Sequence, residues 1–262
     1  MKLHCPICET STSIKEYGKN DILTLYECKE CKFAFQDRNT YVSPYENIDY
    51  YDPTKQPEEP YPLVPNKTDA DRVNTLRKVL KSGKILEIGG GLGKTSILAA
   101  SLGYDVTIIE ESNLAIAQGL KFHTNLKWVH SSVIPDSYKV KTFDAVMMFH
   151  VLEHIPDLKA FLEETSATLK DDSYFIVEVP NWMSLTRKVK KMNWIYVLDH
   201  HPNQFSKTAL IKLFGLYKFQ PLSVEYRRTF AINEMYPVKE NLKKVLCALG
   251  LGNVIRITFK KC

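Results

Sequence analysis

Ile85-Leu86-Glu87-Ile88-Gly89-Gly90-Gly91-Leu92-Gly93 is the stretch that decides how this 262-residue chain is read. Residues 84–88 form a short, mostly apolar run, the pattern of a strand buried on both faces. Four glycines follow, at 89, 90, 91 and 93, and then a helical pattern over 92–102 that Gly103 ends. Strand, glycine turn and helix in succession bring bare backbone and unpaired helix-start N–H groups together at one strand end. A nucleotide-like ligand is the expected occupant.

Outward from this turn, strand and helix signals alternate. Strands are expected at 104–109, 127–130, 143–149, 174–179, 221–226 and 253–259. Helices are expected at 68–81, with Thr68 as cap, and at 113–121, 157–169, 206–214 and 238–249. Such alternation predicts an α/β fold, a Rossmann-like, mostly parallel seven-stranded sheet with helices on both faces. Residues 41–67 are rich in Tyr and Pro and predict an irregular linker or lid, while residues 1–40 hold two cysteine pairs. The expected organisation is therefore a module at 1–40, a linker at 41–67 and a main domain at 68–262.

Three ligands compete for the glycine turn. Gly93-Lys94-Thr95 is like the end of a phosphate-cradling P-loop, but that loop needs glycine where Ile88 stands. A dinucleotide loop would accept Gly89 and Gly91, but needs glycine at Lys94. An S-adenosylmethionine loop, acid-x-Gly-x-Gly-x-Gly, fits at every position: Glu87, Gly89, Gly91 and Gly93. Glu110 ends the next strand seventeen residues past Gly93, where a carboxylate can accept hydrogen bonds from both ribose hydroxyls.

Cys5-Pro6-Ile7-Cys8 and Cys28-Lys29-Glu30-Cys31 are separated by nineteen residues, a spacing that fits a tetrahedral four-thiolate zinc site. A filled four-thiolate site leaves no position for water, so Cys5, Cys8, Cys28 and Cys31 are expected to hold a structural zinc in a zinc-ribbon-like module. The segment has too few apolar residues to fold without that metal.

Four histidines, His150, His154, His200 and His201, follow strand ends or precede a helix, where ligands bind in open α/β sheets. Histidine titrates near neutrality and suits removal of an acceptor's proton. Glu153 beside His150 and His154 also raises a metal reading, although zinc catalysis ordinarily needs three protein ligands. Trp182 and Trp194 either shape an acceptor pocket or pack a helix.

The motifs ILEIGGGLG, TIIE, FDAVMMFHVLEHIPD and FIVEVPN together resemble class I S-adenosylmethionine-dependent methyltransferases, over about residues 68–230. The cysteine pairs and Asp199-His200-His201-Pro202-Asn203-Gln204-Phe205-Ser206 are similar to a narrower set acting in deoxysugar and surface-glycan pathways, some with a zinc-binding module in front. The resemblance implies that Glu87 fixes the loop and the amino-acid end of the cofactor. It implies that Gly89, Gly91 and Gly93 line the cofactor and that Glu110 holds its ribose. Ser132 stands where such proteins carry an adenine-flanking acid, and Phe149 and His150 would border cofactor and acceptor. His154 and His201 match the histidines that do the chemistry in sugar C-methylating members, whose tyrosine and glutamate are replaced here by Leu198 and His200. The acceptor atom stays open between oxygen, nitrogen and carbon, with oxygen favoured over carbon because the carbon-methylating motif is incomplete.

The expected substrate is a small molecule, a sugar or nucleotide-linked sugar in glycan or secondary-metabolite assembly, with Tyr51 reaching the site. A tRNA or rRNA methyltransferase is the first alternative, suggested by the cysteine pairs and the basic cluster at 187–191; a non-catalytic binding protein on the same fold is the second. The net charge of +5 is too mild to argue for nucleic acid on its own. No apolar run spans a bilayer and no secretory leader is apparent, so a cytoplasmic location is expected.

Overall fold

A computed structural model describes residues 3–21, 23–37, 41, 64–122, 126–227 and 240–262. The linker expectation at 42–63, Tyr51 included, and the first residues of the helix expected at 238–249 lie outside them. Strands β4 (Lys84–Ile88), β5 (Asp105–Glu110), β6 (Lys127–His130), β7 (Phe143–Phe149), β8 (Leu169–Pro180), β10 (Phe219–Arg227) and β11 (Val254–Lys261) form one sheet. Its order is β10-β11-β8-β7-β4-β5-β6. β4 runs parallel to β5 and β7, and β5 parallel to β6. This is the mostly parallel, helix-flanked, Rossmann-like sheet that the sequence predicts, with the cysteine pairs in front of it.

The chain clusters into two compact units. One comprises residues 44–149, 163–176 and 260–262. Its core gathers Leu76, Ile85, Ala99, Val106, Ile108, Ala145 and Met147, all nearly inaccessible to water. The strands that supply them are covered on both faces, which is why they read as continuous apolar runs rather than alternating ones. Helix α1 (Lys67–Val79) is capped by Asn66, one residue outside it, instead of Thr68. The Asn66 side chain accepts from the N–H groups of Thr68 and Asp69, and Asp69 accepts from the Asn66 N–H, a reciprocal capping box that Thr68 could not have closed. Helix α2 (Lys94–Ser101) starts two residues later than expected because Gly93 takes a left-handed φ of 74° as its N-cap. Helix α3 (Asn113–Phe122) follows β5.

The other unit comprises residues 1–43, 150–162 and 177–259. Strands β1 (Ile14–Lys19), β2 (Thr24–Cys28) and β3 (Ala34–Phe35) form an antiparallel sheet completed by β9 (Asn203–Gln204), in the order β1-β2-β3-β9. Trp182 and Trp194 pack into a core with Leu23, Leu25, Ala34 and Val197. Helix α5 (Leu185–Lys190), capped by the Ser184 side chain, begins the basic cluster. Arg187 is buried, its guanidinium 4.1 Å from the Trp182 ring centre and 5.4 Å from that of Tyr17, whereas Lys188, Lys190 and Lys191 face solvent. Helices α4 (Leu158–Thr168), α6 (Lys207–Gly215) and α7 (Glu240–Ala248) complete the described helices longer than one turn. Among the described residues, no helix is long and apolar enough to cross a membrane.

Candidate functional site

The glycine turn is a cradle of bare backbone held by carboxylates. Gly89, Gly91 and Gly93 take φ values of 66°, 55° and 74°, a region that side chains disfavour. The Gly89 N–H donates to the Ile109 carbonyl at 2.8 Å and the Gly91 N–H to Glu110 Oε2 at 2.8 Å. Glu110 Oε1 accepts from the Ser112 N–H at 2.9 Å, so this carboxylate ties the turn to the end of β5. Each of its oxygens has a second lone pair left for a ligand hydroxyl.

Sequence reading passed over Gly90. A Cβ there would lie 2.4 Å from Ile108 Cγ2, so close packing on β5, not backbone freedom, requires glycine. It also passed over Trp128, whose ring would lie 2.9 Å from a Cβ on Gly93 and 2.6 Å from one on Gly119. Both requirements come from side chains on other strands, so no local signal announces them.

Glu87 is 4% exposed and accepts from the Ser96 hydroxyl on α2. Burial drives its carboxyl up to about 7, opposed by Ser96 and the Arg72 guanidinium and assisted by Asp69 and Glu110. Asp69 also accepts from Thr95 Oγ1 at 2.9 Å, linking α1 to the start of α2. Arg72 lies 4.4 Å from the ring centre of Phe149, at the end of β7. Ser132 is exposed in the bend after β6. Three buried acids close to one glycine turn suit a cationic ligand.

The histidines belong to the other unit, and the structure separates them into two groups. His150, the residue after β7, has a φ of 59°, a strained backbone for a non-glycine residue. Its Nδ1 lies 3.3 Å from Glu153 Oε1 and its Nε2 lies 3.5 Å from Glu178 Oε1. Burial works to lower its pKa, but the two carboxylates overcome it and hold the ring up at about 9. His150 is thus a cation at neutral pH. Glu153 is 1% exposed; burial raises its carboxyl, and the bond with His150 outweighs this to leave it lowered. Glu178 is also held by Arg256, whose Nε donates to Oε2 at 2.8 Å.

His154, His200 and His201 form the second group, with one ring nitrogen from each within 4.8 Å of the others. His201 stands edge-on to both neighbours, 4.5 Å from His154 and 4.8 Å from His200 between ring centres. Burial lowers the pKa of His154, and it pushes that of His201 down to about 3, so both rings are neutral. Asn203 Nδ2 donates to the carbonyls of Leu152 and Ile155 at 3.2 and 2.7 Å, which pins the turn that carries His154.

The four cysteines converge as their spacing predicts. Thiolates around zinc at about 2.3 Å would stand about 3.8 Å apart at tetrahedral angles. Sγ separations here are 3.5 Å for Cys8–Cys28, 3.7 Å for Cys5–Cys31 and 3.9 Å for Cys8–Cys31. Crowding leaves room for little negative charge: the bond with Cys31 draws the Cys5 thiol down to about 5, burial lifts Cys8 to about 11, and the bond with Cys5 raises Cys31. A divalent cation is what allows four such thiols to ionise together. Tyr51, the remaining residue singled out by sequence, lies outside the described residues.

A family model described as a methyltransferase domain matches residues 66–224, more than half of the chain. The chain is similar to a ubiquinone biosynthesis O-methyltransferase of Paramagnetospirillum magneticum, 26% identical over 193 residues, covering 63% of this chain and 74% of that protein. It is also similar to a protein of the same name from Pelagibacter ubique, 31% identical over 116 residues, covering 42% of this chain and 47% of the relative, about half its length. Among solved structures, a SAM-dependent methyltransferase from Archaeoglobus fulgidus superposes with a TM-score of 0.57 at 20% identity, covering 74% of this chain and 93% of that one. A SAM-dependent methyltransferase from Thermotoga maritima, titled a possible histamine N-methyltransferase, does so with a TM-score of 0.58 at 20% identity, covering 74% and 89%. At that identity the two structures bear on the fold alone.

Proposed function

The chain belongs to the methyltransferase-domain family and is an S-adenosylmethionine-dependent methyltransferase, and we propose that it methylates a hydroxyl oxygen of a small-molecule acceptor. The observation that carries the cofactor site is the bond from the Gly91 N–H to Glu110, which fixes bare backbone beside buried acids. Gly89, Gly91 and Gly93 line the cofactor, Glu110 takes its ribose hydroxyls, and Glu87 faces its cationic amino-acid end. Ser132 stands on the adenine side, and Phe149 and His150 border cofactor and acceptor. The bound sulfonium supplies an electrophilic methyl group. The chain's own residues then have two tasks, to orient the acceptor, worth ~7–11 kcal/mol, and to handle its proton. His154 and His201, both neutral, are assigned the proton, with His200 beside them, while His150 is a fixed cation that positions the turn. Tyr51 is assigned to the acceptor.

A nucleotide-linked sugar is the acceptor class we favour, supported by the cysteine pairs and residues 199–206. The second reading, a ring hydroxyl, is favoured by the names of the two O-methyltransferase relatives. The four cysteines hold a structural zinc, supported by their tetrahedral separations. Calorimetry is expected to give heat with S-adenosylmethionine and none with NAD or ATP. Mass spectrometry after incubation with hydroxylated nucleotide-sugars and with catechol-type phenols is expected to find one added methyl on the sugar. Methylation of the phenol alone selects the second reading, and heat with NAD or ATP alone overturns both.

A further inference from the structure

We propose that His154, His200 and His201 form a second metal site, for a divalent transition cation of the zinc class, separate from the four cysteines. Beyond their proximity, the three rings are oriented as ligands are. His154 Nδ1 lies 3.0 Å from the His200 carbonyl oxygen and His201 Nδ1 lies 3.0 Å from that of Tyr196. His200 Nδ1 lies 2.8 Å from Asp199 Oδ1. A carbonyl oxygen only accepts, so Nδ1 carries the hydrogen and Nε2 carries the lone pair. Histidines bound to metals are commonly held by such a bond on the far ring nitrogen, which sets tautomer and direction.

The ring planes add a geometric argument. His154 and His200 are parallel, with 2° between their planes, and His201 is at 84° to each. Three imidazoles are the ligand count of catalytic rather than structural zinc, in which a fourth position stays open. Zn–N bonds of about 2.0–2.1 Å require nitrogens about 3.3 Å apart, so the set, with one ring nitrogen from each residue within 4.8 Å of the others, would have to draw together to bind the ion. A buried acid adjoins the set: Glu153 precedes His154 in the chain, is 1% exposed, meets His150 through Oε1, and its Oε2 has no hydrogen-bond partner among the described residues.

The use of the open position rests on the methyl-transfer reading. An acceptor hydroxyl bound there forms a metal–oxygen bond, its O–H bond breaks, and the proton leaves to water, so an oxyanion is produced near neutral pH. In that form the histidines serve as ligands, and the metal acidifies the hydroxyl.

The test is a Co²⁺ titration of the full chain with its cysteine cluster already loaded with zinc, alongside calorimetry with S-adenosylmethionine. One further equivalent is expected, with visible absorption and no sulfur-to-cobalt band in the near ultraviolet. Asp199→Ala is expected to weaken it about 10–100-fold, as loss of an orienting partner does. His154→Ala and the partly exposed His200→Gln are expected to abolish it. Absence of a second equivalent in the unaltered chain, a sulfur-to-cobalt band, or undiminished binding in both histidine variants overturns the site. S-adenosylmethionine heat that persists without Co²⁺ binding sinks this inference alone. Co²⁺ binding without that heat sinks only the function on which the open position's use depends.

Discussion

Arg256 and Glu178 form an ion pair from which water is excluded: they are 1% and 2% exposed, and Arg256 Nε donates to Glu178 Oε2 at 2.8 Å. The second oxygen of Glu178 faces His150 at 3.5 Å, so one carboxylate serves two cations. Removing one partner of such a pair leaves a buried charge, at a cost of about 3–5 kcal/mol. Arg256→Ala is therefore expected to lower stability by that amount in urea unfolding. A loss under about 1 kcal/mol would show that the pair is structurally idle.

His150 makes stability depend on alkaline pH. Its folded pKa of about 9 exceeds the ordinary 6.5, so its contribution is complete below pH 6.5 and is lost as pH rises through 9. The groups facing it are Glu153 and Glu178. Urea midpoints are expected to fall between pH 6.5 and 9 in the unaltered chain and to change less in His150→Gln. Equal slopes in the two proteins would refute the assignment.

Glu87 affects cofactor affinity in the opposite sense. Its carboxyl is raised from 4.5 to about 7 by burial, so this group stabilises the ligand-free protein most below pH 4.5 and loses that contribution by pH 7. A cationic ligand favours the ionised form. The Kd for S-adenosylmethionine is expected to fall as pH rises from 6 to 8, and Glu87→Gln is expected to bind more weakly with a flat profile. Calorimetry at several pH values checks both, and a pH-dependent Gln variant would point to another group.

Gly119→Ala tests the packing of Trp128. The added Cβ would meet the indole at 2.6 Å and the Leu92 carbonyl oxygen at 3.1 Å, and the second contact is backbone that has little room to yield. A loss of about 1–3 kcal/mol is expected from overpacking. Thermal unfolding that matches the unaltered chain would mean that α3 moves freely away from β6.

Loss of zinc is expected to disorder the unit that holds the cysteines. Cys28→Ser should release one equivalent of zinc and reduce the near-ultraviolet circular dichroism of Trp182, which shares a core with Leu25 and Ala34. A normal Trp182 signal in a zinc-free variant would argue that the core stands without metal.

The parts of this molecule legible in sequence are those whose causes lie close together in the chain. Glu87, Gly89, Gly91 and Gly93 fall within seven residues, and Glu110 closes the next strand, so spacing alone outlines a ligand cradle. The cysteine pairs are legible for the same reason: two short Cys-x-x-Cys spacings mark the four thiols that the fold brings together. Glu178 and Arg256 stand 78 residues apart, and no local pattern marks a buried acid that needs a distant guanidinium. Gly90 and Gly119 depend on the sizes of Ile108 and Trp128, which are properties of packing. The histidines are visible as a group in the sequence, but their division into one ring held between two carboxylates and a trio of neighbouring rings follows from tertiary contacts.

Strand β9 closes the sheet of β1, β2 and β3 by pairing Asn203 with Phe35 and Gln204 with Ala34. During synthesis, then, the first forty residues leave the ribosome with an open sheet edge that must wait for some 160 more to be translated. Cutting the chain after the cysteines would strand that edge in the same way, because the strand that pairs with β3 returns only after a long topological circuit.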